Sequence, residues 1–381
     1  ICPYCDFAVL VGGEAKRHRF VDALLREIAL YAANDFAPVD TIYFGGGTPS
    51  LLEVEDLARI LDSVRSTFAP LPDTRITLEA NPEDIDPGRL ADWRQLGVGT
   101  LSLGIQSFDD AELRFLGRRH DAAAATKSLE LSLAAGFDTV SVDLIYGLPQ
   151  QTEAALRRNL AHIAKLQPQH LSGYELEIHP RTTFGKCHQR GDLQELSESR
   201  QAALFRLTHE VLSGAGYMAY EVSNFASDPQ HRSRHNRKYW RHVPYLGLGP
   251  SAHSFDGQRR WWNERLLPHW QRALKEGRKP LAGHETLRRR DLALEALMLG
   301  LRTTEGVDLE RVEALGGVDL ERHNRRLIER SIRCGFLRRE ESFLRPTVEG
   351  LAVADGLAAE FELADQSPLG SIGAPHSVTR D

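Results

Sequence analysis

The chain alternates short apolar runs with longer segments in which apolar residues recur at helical spacing. The apolar runs predict five strands, at 41–47, 75–81, 100–108, 139–149 and 170–177. The helical spacing predicts one helix before the first strand, at 20–33, and four between the strands, at 54–68, 90–97, 121–137 and 152–166. Strands that alternate with helices of about 10–15 residues form βαβ units around a parallel sheet. The pattern therefore predicts an α/β fold and suggests an open, partial barrel of six units whose first strand the chain lacks.

Polar and glycine residues collect where each predicted strand ends. The strand ends read GGGTPS, EANPED, GIQSFDD, DLIYGLPQQ and ELEIHP. In parallel α/β folds the ligand site lies at the carboxyl edge of the strands. Turns alone also attract Gly, Pro, Asp and Asn, but five such ends in succession favour a ligand site at this edge.

The hydrophobic pattern changes after about residue 285. Helices are predicted at 290–303, 307–317 and 321–337, followed by a short hairpin and a last helix within 338–361. This order predicts a small winged-helix-like domain over 286–362, after a main domain over 1–285. Residues 363–381 contain turn formers and little apolar content, which predicts a disordered tail. The arginine-rich stretch RHNRRLIERSIR suits either DNA binding or a solvated helix face, and we favour the solvated face.

The composition limits the cellular compartment and the partners that can be expected for this protein. The chain has 381 residues and a net charge of −6, which gives no general attraction to nucleic acid or anionic membranes. Its apolar runs are far shorter than the roughly 20 residues that span a bilayer. Four cysteines in this length do not form a disulfide framework. These features predict a protein of the reducing cytoplasm without a nucleic-acid partner.

Cys2 and Cys5 form a C-x-x-C pair, which by itself suits a zinc site, a redox pair or an iron–sulfur cluster. Zinc needs two further soft ligands, and neither Cys187 nor Cys334 has a C-x-x-C partner. A thioredoxin-like pair should follow a strand and open a helix, and it does not need the GGGTP segment that comes later in this chain. We favour the cluster, because the turn GGGTPS at 45–50 also offers backbone N–H groups suited to the polar end of an amino acid.

Several motifs together carry a family resemblance. ICPYCDF, FGGGTPS, LEANPED, SLGIQSFDD, LGRRH and DLIYGLPQQT resemble the radical S-adenosylmethionine (SAM) proteins related to oxygen-independent coproporphyrinogen III dehydrogenase. The similarity extends from Ile1 to about residue 360, and it implies a 4Fe–4S cluster that binds SAM. The family motif is C-x-x-x-C-x-x-C, and Cys2 and Cys5 match its second and third ligands. We therefore expect the first ligand four residues before Cys2, outside this chain.

The resemblance also implies roles for residues at the strand ends. Tyr4 is expected to pack near SAM, and Gly46, Gly47 and Thr48 to hold its methionine end. The other residues expected to line the SAM pocket are Glu79, Gln106, Arg118 and Asp143.

Two features distinguish branches of the family. The dehydrogenase has a further Cys where this chain has Phe7. YEVSNFA (220–226), HNRKYW (235–240) and YLGLGPSAHSF (245–255) resemble the haem chaperone branch, HemW. An imidazole beside aromatic rings suits haem iron and a porphyrin face, although such residues also plug a barrel mouth. The match of the whole stretch favours haem, with His235 as its ligand at the barrel mouth close to SAM and His231, His242 and His253 as lesser alternatives.

The resemblance thus implies a haem chaperone that binds haem, a 4Fe–4S cluster and SAM. Its expected partners are haem, haem-accepting proteins, with membrane-associated ones among the candidates, and an electron donor. The alternatives are a coproporphyrinogen III dehydrogenase and a winged-helix nucleic-acid binder. Phe7 and the H-N-x-x-Y-W motif argue against the first, and the net negative charge argues against the second.

Overall fold

A computed structural model of the protein describes residues 1–9, 12–34 and 38–363. Five parallel strands form the main sheet: β1 Thr41–Phe44, β2 Arg75–Ala80, β3 Val98–Gln106, β4 Thr139–Tyr146 and β5 His170–Glu175. The helices of this part are α1 Glu14–Ala29, α2 Val54–Phe68, α3 Pro87–Gln95, α4 Asp110–Phe115, α5 Ala122–Ala134 and α6 Glu153–Leu166. The predicted α/β fold is confirmed, and all five predicted strands form.

The sheet changes direction after β5. The next elements are α7 Thr183–Gln189, α8 Glu198–Gly214, β6 Met218–Ala219, β7 Asn224–Ala226 and α9 Arg234–Trp240. Strand β7 pairs antiparallel with β5, and β6 pairs antiparallel with β7. The order across the sheet is β1-β2-β3-β4-β5-β7-β6. Because β7 runs against the other strands, the chain leaves it at their amino-terminal edge.

The two faces of the sheet differ in polarity. In β2 the exposure alternates, so that Leu78 is fully buried while Glu79 beside it is only partly buried. Leu101 and Val142 lie on the same apolar side and join a core that includes Trp93. Since side chains alternate across a strand, the opposite face carries polar residues toward the inside of the barrel.

A second, smaller sheet follows the barrel. Its elements are β8 His253–Phe255, β9 Arg259–Asn263, α10 Leu267–Lys275 and β10 Leu281–Thr286, with the strands in the order β10-β9-β8. The remaining elements are α11 Arg289–Leu301, β11 Val307–Asp308, α12 Leu309–Gly316, α13 Leu320–His323, α14 Arg325–Arg333, β12 Leu337–Glu340, β13 Phe343–Pro346, α15 Val348–Ala352 and α16 Ala354–Glu360. Three antiparallel strands packed with helices on a separate apolar core agree with the winged-helix-like prediction.

Two helix predictions need correction. The helix expected at 321–337 is broken at Asn324, whose side-chain amide donates to the carbonyls of Leu320 and Glu362 and accepts from the Glu362 amide. The helix expected at 20–33 begins six residues earlier, at Glu14, because a polar first turn gives no apolar periodicity. The domain boundaries at 285 and 362 stay predictions, and residues 364–381 of the tail lie outside the described residues.

Glu27 joins the first helix to a distant part of the chain. Its carboxylate is fully buried and accepts hydrogen bonds from Gly249 N (2.8 Å), Asn263 Nδ2 (2.5 Å) and Trp270 Nε1 (3.0 Å). Burial raises the pKa of Glu27 to about 7, although these three donors lower it. The carboxylate therefore replaces water for three buried donors, which would otherwise be left unpaired.

Among the described residues, no helix is both long and apolar enough to cross a membrane.

We expect Glu27→Ala to lower the free energy of unfolding by at least about 3 kcal/mol, because three buried donors lose their acceptor. Urea denaturation measures this loss, and Glu14→Ala on the exposed end of the same helix should change stability by less than about 0.5 kcal/mol. Folding raises the pKa of Glu27 from 4.5 to about 7, so its contribution should fall as the pH rises through that range. Equal stability of the two variants would contradict the anchoring role.

Candidate functional site

The cysteine loop is anchored at the carboxyl edge of the strands. The backbone N–H of Cys5 donates to the carbonyl of Cys2 (3.2 Å), so one tight turn carries both free thiols. The carbonyl of Pro3 accepts from the Phe184 amide (2.9 Å). The Pro3 ring lies so close to Gly117 that a Cβ there would be 2.8 Å from Pro3 Cδ. The loop is therefore fixed on α7 and on the turn after α4.

Arg118 connects the cysteine loop to two strand ends. Its Nη1 donates to Cys2 Sγ (3.5 Å), and its Nη2 donates to Asn81 Oδ1 (2.6 Å) and to the carbonyl of Gly104 (2.8 Å). Arg118 Nε is buried and has no hydrogen-bond partner among the described residues. A guanidinium here is a favourable neighbour for anionic sulfur ligands and for a bound carboxylate. Next to it, burial and Cys2 raise the pKa of the Tyr4 hydroxyl, which stays protonated.

The glycine turn after β1 is shaped by Glu79. A Cβ on Gly45 would lie 2.5 Å from Tyr43 Cε1 and 2.6 Å from Glu79 Oε1, so only glycine fits without displacement. Gly46 has φ +82°, a backbone conformation that favours glycine, and its N–H donates to Glu79 Oε2 (3.1 Å). Gly46 and Gly47 are exposed, and Thr48 precedes a single helical turn at Pro49–Leu51. The turn therefore presents open backbone to a ligand.

Two largely buried carboxyl groups, Glu79 on β2 and Asp143 on β4, lie on the polar inside of the barrel. Burial raises the pKa of Glu79 to about 7, with the nearby Asp143 adding to the effect. Burial likewise raises the pKa of Asp143 to about 6, although hydrogen bonds from Ser172 and Ser102 oppose this shift. Two carboxyl groups with raised pKa values, placed where strands end, are typical of a site for a cationic ligand.

The predicted SAM residues all lie at this edge or just inside it. Arg118 brings Cys2 next to the ends of β2 and β3, and Glu79 reaches the glycine turn. Gln106 ends β3 with φ +69°, at an irregularity in the β3–β4 register. The structure places these residues near one another, and their contacts with SAM remain predictions.

His235 lies at the opposite edge from the one predicted. Helix α9 packs against the beginnings of strands: His235 Nδ1 lies 3.4 Å from Thr41 Oγ1, and Lys238 Nζ binds Asp40 and Thr41. The expectation that HNRKYW borders the mouth of the barrel at the carboxyl edge of the strands is therefore wrong, although a single side chain, Tyr43, lies between His235 and the predicted SAM-pocket residue Glu79. The physical reason is the direction of β7, which returns the chain to the amino-terminal edge before α9 begins.

Aromatic rings surround the His235 imidazole. The ring stacks on Tyr43, with centroids 4.6 Å apart and an interplanar angle of 24°. Tyr239 meets it edge-on, and its hydroxyl lies 2.9 Å from His235 Nε2. Burial, assisted by the charge of Lys238, lowers the pKa of His235 to about 4. The imidazole is therefore neutral near pH 7, the form that binds metals.

The sequence predictions missed Tyr43. Its hydroxyl donates to Glu79 Oε1 (2.8 Å) while its ring contacts His235. A signal was present in the alternation of TIYF, because alternate side chains of a strand share one face. Thr41 and Tyr43 are such a pair, and both point to the inside of the barrel.

Comparisons with known proteins agree with this architecture. The sequence profile of the Radical SAM superfamily matches residues 1–163, and that of the HemN C-terminal domain matches residues 287–353. The heme chaperone HemW of Synechocystis sp. is 37% identical over 315 residues, covering 80% of this chain and 76% of the relative. The heme chaperone HemW of Mycobacterium tuberculosis is 37% identical over 325 residues, covering 84% and 82%. The chain belongs to the HemW family.

Membership of the HemW family places the chain among radical SAM proteins, a superfamily that implies a 4Fe–4S cluster and SAM. A solved structure adds support for the fold alone: coproporphyrinogen III oxidase (HemN) from Escherichia coli, a radical SAM enzyme, superposes with a TM-score of 0.79. That similarity covers 94% of this chain and 86% of HemN at 23% sequence identity.

We expect Gly45→Ala to lower the free energy of unfolding by about 1–3 kcal/mol, because the added methyl group overlaps the Tyr43 ring and the Glu79 carboxylate. Gly356→Ala is the matched control, since a Cβ there meets no atom within 4 Å. In its helix this control should be neutral or stabilising by up to about 1 kcal/mol. Urea denaturation compares the two, and a neutral Gly45→Ala would show that the turn is not tightly packed.

Proposed function

We propose that the protein is a haem chaperone that binds haem through His235 and a 4Fe–4S cluster with SAM at the carboxyl edge of the barrel. The observation that carries the proposal is the neutral, ring-flanked imidazole of His235 in the motif HNRKYW, in a chain related to proteins named as heme chaperones. Haem-accepting proteins, membrane-associated ones among them, and an electron donor are the proposed partners. The proposed setting is the cytoplasm, consistent with four free cysteines.

Cys2 and Cys5 suit two irons of such a cluster, because one turn carries both thiols and Arg118 provides positive charge beside them. Within the described residues no set of three or more His, Cys, Asp or Glu side chains is placed to hold a metal ion, so this structure accounts for two of the ligands. When bound, the cluster supplies the electron for SAM cleavage.

The protein's own residues would bind and orient SAM. The exposed backbone of Gly47 and the hydroxyl of Thr48 suit its methionine end, and Gly46, whose N–H donates to Glu79, would shape the turn around it. Arg118, through its unpartnered Nε, suits the carboxylate. Glu79 and Asp143, whose ionised forms are disfavoured by burial, would be stabilised by a cation between them. Tyr4 and Gln106 would complete the walls of the pocket.

We expect Glu79→Ala and Asp143→Ala each to weaken SAM binding about ten- to a hundred-fold. Losing a hydrogen bond to a charged group costs about 1.5–3 kcal/mol, which corresponds to this change in affinity. Calorimetric titration of protein expressed from its whole coding sequence and reconstituted without oxygen measures the affinity. Asp62→Ala, on the exposed side of α2, is the control. Affinity in the wild type should rise from pH 6 to pH 8 as Glu79 loses its proton, and Glu79→Gln should flatten this rise. Unchanged affinity in both alanine variants would refute the pocket assignment.

We expect His235→Ala to change the Soret spectrum of added haem and to reduce the haem retained after desalting, because the variant lacks the axial imidazole. His188→Ala, an exposed histidine on α7, should behave as the wild type. Cluster content and the SAM affinity measured without haem should be retained in both variants. If His235→Ala binds haem with the wild-type spectrum, His235 is not a ligand.

The dehydrogenase alternative draws on the fold shared with HemN. Phe7, 64% exposed, occupies the position where the dehydrogenase has a further cysteine. Conversion of coproporphyrinogen III to protoporphyrinogen IX by the reconstituted wild type would establish this alternative in place of the chaperone.

A further inference from the structure

Tyr43 contacts both of the proposed sites. Its hydroxyl donates to Glu79 Oε1 (2.8 Å), on the SAM side of the barrel. Its ring stacks on the His235 imidazole with centroids 4.6 Å apart. Two sites that lie at opposite ends of strand β1 are therefore joined by a single side chain.

The Tyr43 ring is held in place from several sides. Gly45 leaves no room for even a methyl group beside Cε1. Burial and the Glu79 carboxylate raise the pKa of the Tyr43 hydroxyl well above 10. The hydroxyl therefore remains a donor, and its bond to a carboxylate is of the strong, charge-assisted type whenever Glu79 is ionised.

The His235 imidazole is occupied in this arrangement. Nε2 lies 2.9 Å from the Tyr239 hydroxyl, Nδ1 lies 3.4 Å from Thr41 Oγ1, and one ring face is covered by Tyr43. Haem iron would need one of these ring nitrogens. Either the imidazole or its hydroxyl partner therefore has to shift, and a firmly held Tyr43 ring opposes movement of the imidazole.

Glu79 offers two oxygens, and both are in use. Oε1 accepts from Tyr43 and Oε2 accepts from Gly46 N. Each carboxylate oxygen can accept a second hydrogen bond, but a cationic or hydroxyl group of SAM bound at Glu79 would share the charge of Oε1 with the Tyr43 hydroxyl and weaken that bond. A weaker bond would hold the Tyr43 ring less firmly and relax the constraint on His235.

We propose that Tyr43 couples the two sites, so that SAM bound at Glu79 increases the affinity of His235 for haem. This inference rests on the proposed function. By linkage, haem must increase the affinity for SAM by the same factor.

The test is a Soret titration of haem with and without saturating SAM, on reconstituted protein from the whole coding sequence. In the wild type we expect SAM to tighten haem binding at least about five-fold, the lower end of typical coupling between sites. Tyr43→Phe keeps the ring and removes the hydroxyl. It should bind haem without SAM as tightly as the wild type does with SAM, and the effect of SAM should vanish.

Tyr217→Phe is the matched control, because it also loses one buried hydroxyl hydrogen bond, to the carbonyl of Pro168 (2.7 Å). It should keep the wild-type response to SAM. Equal SAM effects in the wild type and Tyr43→Phe, or a wild type without tighter haem binding in SAM, would overturn the coupling. Failure of the proposed function looks different, since His235→Ala would then retain the wild-type haem spectrum.

A second measurement does not depend on the folding of a variant. In haem-free wild type labelled with ¹⁵N-histidine, SAM should shift the ring-nitrogen resonances of His235 and leave those of exposed His188 unchanged. An unchanged His235 signal at saturating SAM would also overturn the coupling.

Discussion

The parallel pairing of β1 to β5 is the constraint on which the rest of the molecule depends. It brings the carboxyl ends of five strands to one edge, where Arg118 connects Asn81 and Gly104 to the cysteine loop. Side-chain alternation then separates an apolar outer face, packed on helices, from a polar inside. The separation leaves room for a charged ligand on the inside. Glu79 and Asp143 lie there, and neither belongs to the apolar core.

Reversal of direction at β7 determines at which edge of the barrel the HNRKYW segment lies. Since β7 runs antiparallel to β5, the segment after it emerges at the amino-terminal edge, where α9 binds the residues that precede β1 and β2. On its other side α9 contacts the C-terminal domain through ion pairs of Arg237 and Arg241 with Glu305. The HNRKYW segment therefore lies between the barrel and the C-terminal domain rather than at the carboxyl edge of the strands.

Buried polar groups in this fold have either a structural or a ligand-related arrangement. Glu27 is satisfied by three donors from one distant region, which suits an anchor. Glu79 and Asp143 are largely buried on the polar inside of the barrel, and Arg118 Nε has no partner among the described residues. Burial of these groups is costly for the folded protein unless a charged ligand offsets it, which is the arrangement that the proposed SAM site would use.

The sequence by itself determined the five strands, the bounds of α2 and the glycine turn, because periodicity and glycine chemistry act over a few neighbouring residues. It also brought out Glu79, Asp143 and Arg118 as polar groups near strand ends. The edge at which His235 lies was decided by the antiparallel pairing of β7 with β5, which no local pattern of either strand encodes. The roles of Tyr43 and Glu27 likewise arose only in the folded structure, since their partners are separated from them by up to 243 residues. The alternation in TIYF indicates which face Tyr43 occupies, but the partners that it meets there depend on the topology of the whole chain.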